Sequence, residues 1–164
     1  MIMPLIQIIA CYKWGAWKRW KDYYPTILYV IIGDLSYNVL FSNRLLWMYT
    51  FPISHVFADF VHAFISFPCS IILFLTHYPK GYLRESLYIL AWTIGFTVLE
   101  YIALLQGTFI HYYGWSIFWS AGMYLFIFIL TKLHTKHPLI TWAISAGFAM
   151  LTMLIFGQPL LGTK

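Results

Sequence analysis

An all-α, polytopic transmembrane helix bundle is the fold class this sequence predicts, and three observations predict it. Of its 164 residues, 62% are hydrophobic and 9% charged, far from the half apolar and quarter charged of a soluble domain. Five apolar runs approach or exceed the length of ~20 residues that crosses a ~30 Å hydrocarbon layer. Proline, glycine and charge fall at the ends of those runs, where helix boundaries need them. No repeat, linker or low-complexity stretch divides the chain, so residues 1–164 read as a single integral membrane domain.

Residues 1–20 come first. Their apolar part is short, contains Gln7 and Lys13, and ends in WGAWKRW, a mixture of tryptophan and cation that suits an interfacial helix. An interfacial or half-inserted helix is favoured there over a sixth span, and the absence of a basic n-region argues against a signal peptide. The first span is expected at about 24–42, with Pro25 near its start, where a missing N–H costs no hydrogen bond. The second, about 54–77, contains Pro68 and precedes Pro79; Pro68 should kink it. Spans three, four and five follow at about 86–107, 114–133 and 138–157, the last entered by Pro138 and followed by Pro159. Cys11 and Cys69 sit in different apolar segments and read as packing residues, without disulfide or metal spacing.

The net charge of +5 does not mark a nucleic-acid binder, because its ten Lys and Arg are scattered in short loops rather than gathered on one face. Topology accounts for them better. Five spans put Lys13, Lys18, Arg19, Lys21, Lys80, Arg84, Lys132 and Lys136 on one side, and Arg44 and Lys164 on the other. The excess of cations on cytoplasmic loops then places the N-terminus in the cytoplasm.

Orientation converts spacing into depth. In SHVFADFVHAF, residues 54–64, His55, Asp59 and His62 recur at i, i+4 and i+7 on one helical face. At 1.5 Å per residue, Asp59 lies roughly 7 Å and His62 roughly 12 Å below the outer boundary, with Asn38 at about 6 Å, Asp34 at about 12 Å and Glu100 near 10 Å. Three of the five acidic residues are therefore intramembrane and at one level. A charge at mid-membrane costs at least ~2.5 kcal/mol, so such groups face an interior or a wet cavity. The expectation is a polar cavity in the outer half, lined by Asp34, Asn38, Asp59, His62 and Glu100, with His55 and His111 at its mouth. Tyr112, Tyr113 and Trp115 would cap it, and Ser116 and Ser120 would enter from the fourth span.

Several chemistries fit such a cavity. Asp34, Asp59 and Glu100 are the candidate catalytic acids, since desolvated carboxylates can donate protons to a lipid-soluble ligand and nearby imidazoles can relay them. Aromatic rings, 21% of the chain, suit an apolar or small cationic ligand. Asp59 and His62 have the i, i+3 carboxylate–imidazole spacing of a metal site, but one such pair alone is a weak signal. A small proton-coupled transporter is a further reading. So is a non-catalytic accessory subunit or homo-oligomer, with Ala91-x-x-x-Gly95 and Ala143-x-x-x-Gly147 as contact faces. No serine or cysteine triad, P-loop or dinucleotide fingerprint appears, so whether the chain is an enzyme, and what cofactor it would use, stays open.

The runs WKDYYPTILYVIIGDLSYNVLF, FPCSIILFLTHYP and VLEYIALLQGTFIHYYGWSIFWS carry a resemblance. With the YYPTIL entry, the Gly33–Asp34 pair, the FP and YP ends of the second span and the Glu100 helix followed by Tyr-Gly-Trp, residues 20–137 resemble a family of small uncharacterised multipass membrane proteins from Bacillus-type spore-forming bacteria. The resemblance implies about five helices and a bacterial plasma membrane location. It implies no activity and lends no residue a catalytic role.

Overall fold

The computed structural model describes residues 2–50 and 54–158; Pro159 and Lys164, used above, lie outside them. Seven α-helices follow one another among the described residues: α1 (Ile2–Lys13), α2 (Trp20–Leu40), α3 (His55–Val61), α4 (Phe67–Thr76), α5 (Tyr82–Leu105), α6 (Ile117–His134) and α7 (Pro138–Ile155). A 3-10 turn, Ala16–Arg19, joins α1 to α2, and a π turn, His62–Ser66, joins α3 to α4 into one continuous helix. The bundle is all-α, as its composition requires. Four helices are long and apolar enough to cross a membrane: His55–Thr76, Tyr82–Leu105, Ile117–His134 and Pro138–Ile155. The 21-residue α2 has the length but carries Lys21, Asp22 and Asp34.

The 12 residues of α1 span only about 18 Å, short of a hydrocarbon layer. The helix lies along α4 and the π turn, and the Gln7 amide donates to Ser70 Oγ at 3.0 Å. The length of α1 fits the interfacial or half-inserted helix expected here rather than a sixth span.

One proline sits otherwise than expected. Helix α2 begins at Trp20, so Pro25 lies inside it rather than at its start. The carbonyl it leaves without a donor is that of Lys21, a residue exposed at the end of the bundle. Around Pro68 the helix widens, and the Phe67 N–H reaches back to the His62 carbonyl five residues earlier. The π turn thus sits directly before the proline, a common cause of local helix distortion.

One end of the bundle gathers the ends of α2, α5 and α7 with the starts of α3 and α6. There the chain makes a small antiparallel ribbon that the hydropathy pattern does not announce. Strand β1 (Trp47–Tyr49) pairs with β2 (Phe109–His111), Trp47 opposite His111 and Tyr49 opposite Phe109. Alternation puts Trp47, Tyr49, Phe109 and His111 on one face; Phe109 is buried and Ile110, on the other face, is exposed. Tyr37 on α2 ties the ribbon down: its hydroxyl accepts from the N–H groups of Leu46 at 2.9 Å and Trp47 at 3.0 Å and donates to the Trp47 carbonyl at 3.2 Å. Its ring stacks on Trp47, centroids 3.8 Å apart.

Apolar packing falls in two clusters. At the opposite end Phe74, fully buried, meets Tyr78, Tyr88, Trp92 and Phe128, within a cluster that also contains Cys11 and Cys69, both free and buried. At the ribbon end Phe41, Leu46, Trp115, Met153 and Phe156 form a second cluster. Trp115, expected to cap the polar site, belongs to this one; its indole N–H donates to Ser120 Oγ at 2.8 Å.

Tyr37→Phe leaves two backbone N–H groups of the ribbon without their acceptor. It should lower the unfolding free energy in detergent by about 2 kcal/mol, read from denaturant midpoints, whereas Tyr24→Phe, at an exposed site, should leave the midpoint unchanged.

Candidate functional site

The site is built around Glu100, which is only 7% exposed in the last turns of α5. Two donors from separate elements reach its carboxyl. His111 Nε2, on β2, lies 2.8 Å from Oε1, and the Tyr124 hydroxyl, on α6, donates to Oε2 at 2.5 Å. Each oxygen therefore has a partner, as a carboxyl desolvated in an apolar bundle requires. His111, expected at the mouth, is carried inward by the ribbon and becomes part of the wall.

A second carboxylate–imidazole contact stands on α3. His55 Nε2 lies 3.2 Å from Asp59 Oδ2, one helical turn away, and both side chains are mostly buried. Ser54 caps this helix by accepting from the Phe57 N–H at 3.3 Å, which starts the helix where both groups face inward. His62 follows on the same face, its ring stacked on Tyr49 with centroids 4.5 Å apart and planes 5° apart.

Tyr49 connects the walls. Its phenol is held well above the ordinary tyrosine range, first by burial and then by the negative charges of Asp34, Asp59 and Glu100. Burial above all keeps that hydroxyl protonated and available as a donor. Asp34 Oδ2 is buried with no hydrogen-bond partner among the described residues, as is His55 Nδ1. Asn38, one turn beyond Asp34, donates to the Asp34 backbone carbonyl at 3.4 Å.

Among the described residues, no three His, Cys, Asp or Glu side chains gather closely enough to hold a metal ion. Asp59 is engaged with His55, and His62 with Tyr49. The two best-formed hollows lie elsewhere, on the outside of α5 and between α5 and α6. Beneath the ribbon Glu100 is paired with His111 and Tyr124, and Asp59 with His55.

Three contributors escaped the reading of the sequence. Tyr124 follows Ser116 and Ser120 at successive i+4 positions, a signal that extends one turn beyond the two serines. Tyr49 and Tyr37 carried none, because their roles depend on strand pairing across about sixty residues of chain. Compared with protein-family models, curated proteins and solved structures, the chain matches none, and the chemistry is read from the geometry alone.

A buried pair loses most when one partner is removed. His111→Ala should destabilise the protein by about 3 kcal/mol in detergent unfolding, and adding Glu100→Gln to it should recover most of that loss. A double-mutant cycle showing additive costs would contradict the pairing.

Proposed function

We propose that the chain is a multi-pass protein of a bacterial plasma membrane, with α2 as a fifth span and its basic end, including the N-terminal segment, in the cytoplasm. The family resemblance supports that location, and the distribution of cations supports that orientation. The polar cluster then lies in the outer half of the bilayer. It serves as an acid–base site that binds or acts on a lipid-soluble or small cationic ligand.

The observation that carries this reading is the pair of carboxylate–imidazole contacts from separate elements, Glu100–His111 and Asp59–His55, beneath the ribbon whose Tyr49 stacks on His62. In each, Nε2 faces the carboxylate. That arrangement holds a neutral imidazole with its proton on Nε2 and leaves Nδ1 as the base, the orientation by which a carboxylate prepares a histidine to accept a proton. The buried Nδ1 of His55 and Oδ2 of Asp34 have no partner among the described residues, so they are the positions where a ligand's proton or positive charge would be received.

A second reading, an accessory subunit or homo-oligomer, draws on the outer face of α5. A groove of about 300 Å³ runs over Ala91 and Gly95, flanked by Tyr88, Trp92, Phe96 and Leu99. A Cβ on Gly95 would meet nothing within 4 Å, so another helix could approach closely there.

Infrared difference spectroscopy across a pH titration, on protein reconstituted in lipid, separates the two. The acid–base reading expects a protonated-carboxyl carbonyl band that appears and disappears with pH and is altered in Glu100→Gln and Asp59→Asn made at normal membrane yield. A spectrum without any titrating carboxyl, or isosteric variants that fail to accumulate, would favour the packing role instead.

A further inference from the structure

We infer that the basic end of the bundle is a docking surface for anionic phospholipid headgroups, organised by the 3-10 turn between α1 and α2. The inference stands apart from the acid–base site, which lies at the other end.

Eight cations meet at this end although they come from three separate parts of the chain. Tyr23 on α2 donates to the Leu75 carbonyl of α4 at 3.2 Å, Tyr88 on α5 to the Phe74 carbonyl at 3.1 Å, and Thr26 on α2 meets His134 Nδ1 of α6 at 3.0 Å. Those contacts bring Lys13, Lys18, Arg19 and Lys21 to the same end as Lys80, Arg84, Lys132 and Lys136. Only two carboxylates, Asp22 and Glu85, stand among them. Asp22 bridges Arg19 at 3.0 Å, and Glu85 is occupied by the Gly81 N–H at 3.1 Å and the Tyr78 hydroxyl at 3.4 Å. The net positive charge is left without a protein counterpart among the described residues. Among those residues, Arg44 is the one Lys or Arg at the ribbon end, and it covers the Tyr113 ring at 4.2 Å.

Depth is set by aromatic rings. Lys13 lies 5.9 Å from the Trp14 ring centroid, Arg19 5.2 Å from Tyr23, Lys21 5.7 Å from Trp20 and Lys132 4.3 Å from Tyr78. Trp14, Trp17 and Trp20 are themselves exposed, as are Leu5, Ile6 and Ile9 further along α1. An exposed aliphatic face that ends in interleaved tryptophans and cations matches the passage of a leaflet from acyl chain to interface and phosphate. The cations therefore sit at phosphate level, and among the described residues Arg19 alone is bridged to a carboxylate. A lipid headgroup with net negative charge completes the surface; a zwitterionic one brings its own ammonium and does so less well.

The test is native mass spectrometry of the intact protein released from micelles doped with phosphatidylglycerol or with phosphatidylcholine. The wild type and Arg44→Gln should retain phosphatidylglycerol preferentially. Lys13→Gln, Lys18→Gln, Arg19→Gln and Lys21→Gln combined should weaken that preference by about fivefold for each cation removed. Added salt should weaken it in the wild type as well, and this arm decides the matter if the fourfold variant does not fold. Equal retention of the two lipids, a preference that survives high salt, or one that survives the fourfold substitution in folded protein would overturn the proposal.

Discussion

A carboxyl group placed in an apolar bundle must be given donors, and the position of Glu100 shows what that demand does to a fold. The group cannot be hydrated freely where it lies, so its two oxygens draw in a histidine and a tyrosine. His111 can reach it only if the chain between α5 and α6 folds back as a strand. Tyr124 can reach it only if α6 is rotated to present that turn to α5. The same contacts thus fix the lid of the site and the register of two long helices. An apolar residue at position 100 would fit a lipid-embedded helix better, and would make neither demand.

The ribbon is the second consequence. Two short strands in a helical protein leave edges that need partners, and here the loop is satisfied from several sides. The Tyr112 N–H donates to the Leu46 carbonyl at 2.8 Å and the Thr50 N–H to the Thr108 carbonyl at 3.0 Å. The turn into α6 has positive φ at Tyr113 (53°) and Gly114 (81°), closed by the Trp115 N–H on the Tyr112 carbonyl at 2.9 Å; glycine serves the second position without cost. The Gln158 amide, past the end of α7, donates to the Arg44 carbonyl. The inward face of the ribbon then holds Tyr49 over His62 and among the acids.

The molecule is consequently asymmetric along its axis. Its ribbon end stores ionisable groups in the interior and shows little charge outside. The opposite end has an aromatic and aliphatic core around Phe74 and carries its cations at the surface. Between them, the buried contacts of Tyr29, with Ser145 at 2.6 Å and stacked on His134 at 4.4 Å, join α7 and α6 to α2. Polar groups pin helices here because lipid is as apolar as any side chain, so helix association in a bilayer cannot rely on hydrophobic burial.

That same physics decides how much was legible in the residues. Helix lengths follow from the apolar runs, and each of the five runs is helical in the structure to within a few residues at its ends. The alternating direction of successive helices brings Asp34, Asp59 and Glu100 towards the same end of the bundle, the one that carries the ribbon. The inward face of α3 was readable because His55, Asp59 and His62 are polar, and polar groups in such a helix turn away from lipid. Tyr124 and Tyr49 were not, since tyrosine also lines membrane interfaces and its spacing does not tell the two roles apart. The sequence by itself determined the helices and their order, because these depend on local periodicity and on solvation. Only the tertiary structure decided which donors each acid receives, that α1 packs along α4, and that two loops pair as strands. Those outcomes depend on contacts between distant segments, and no pattern within one segment records them.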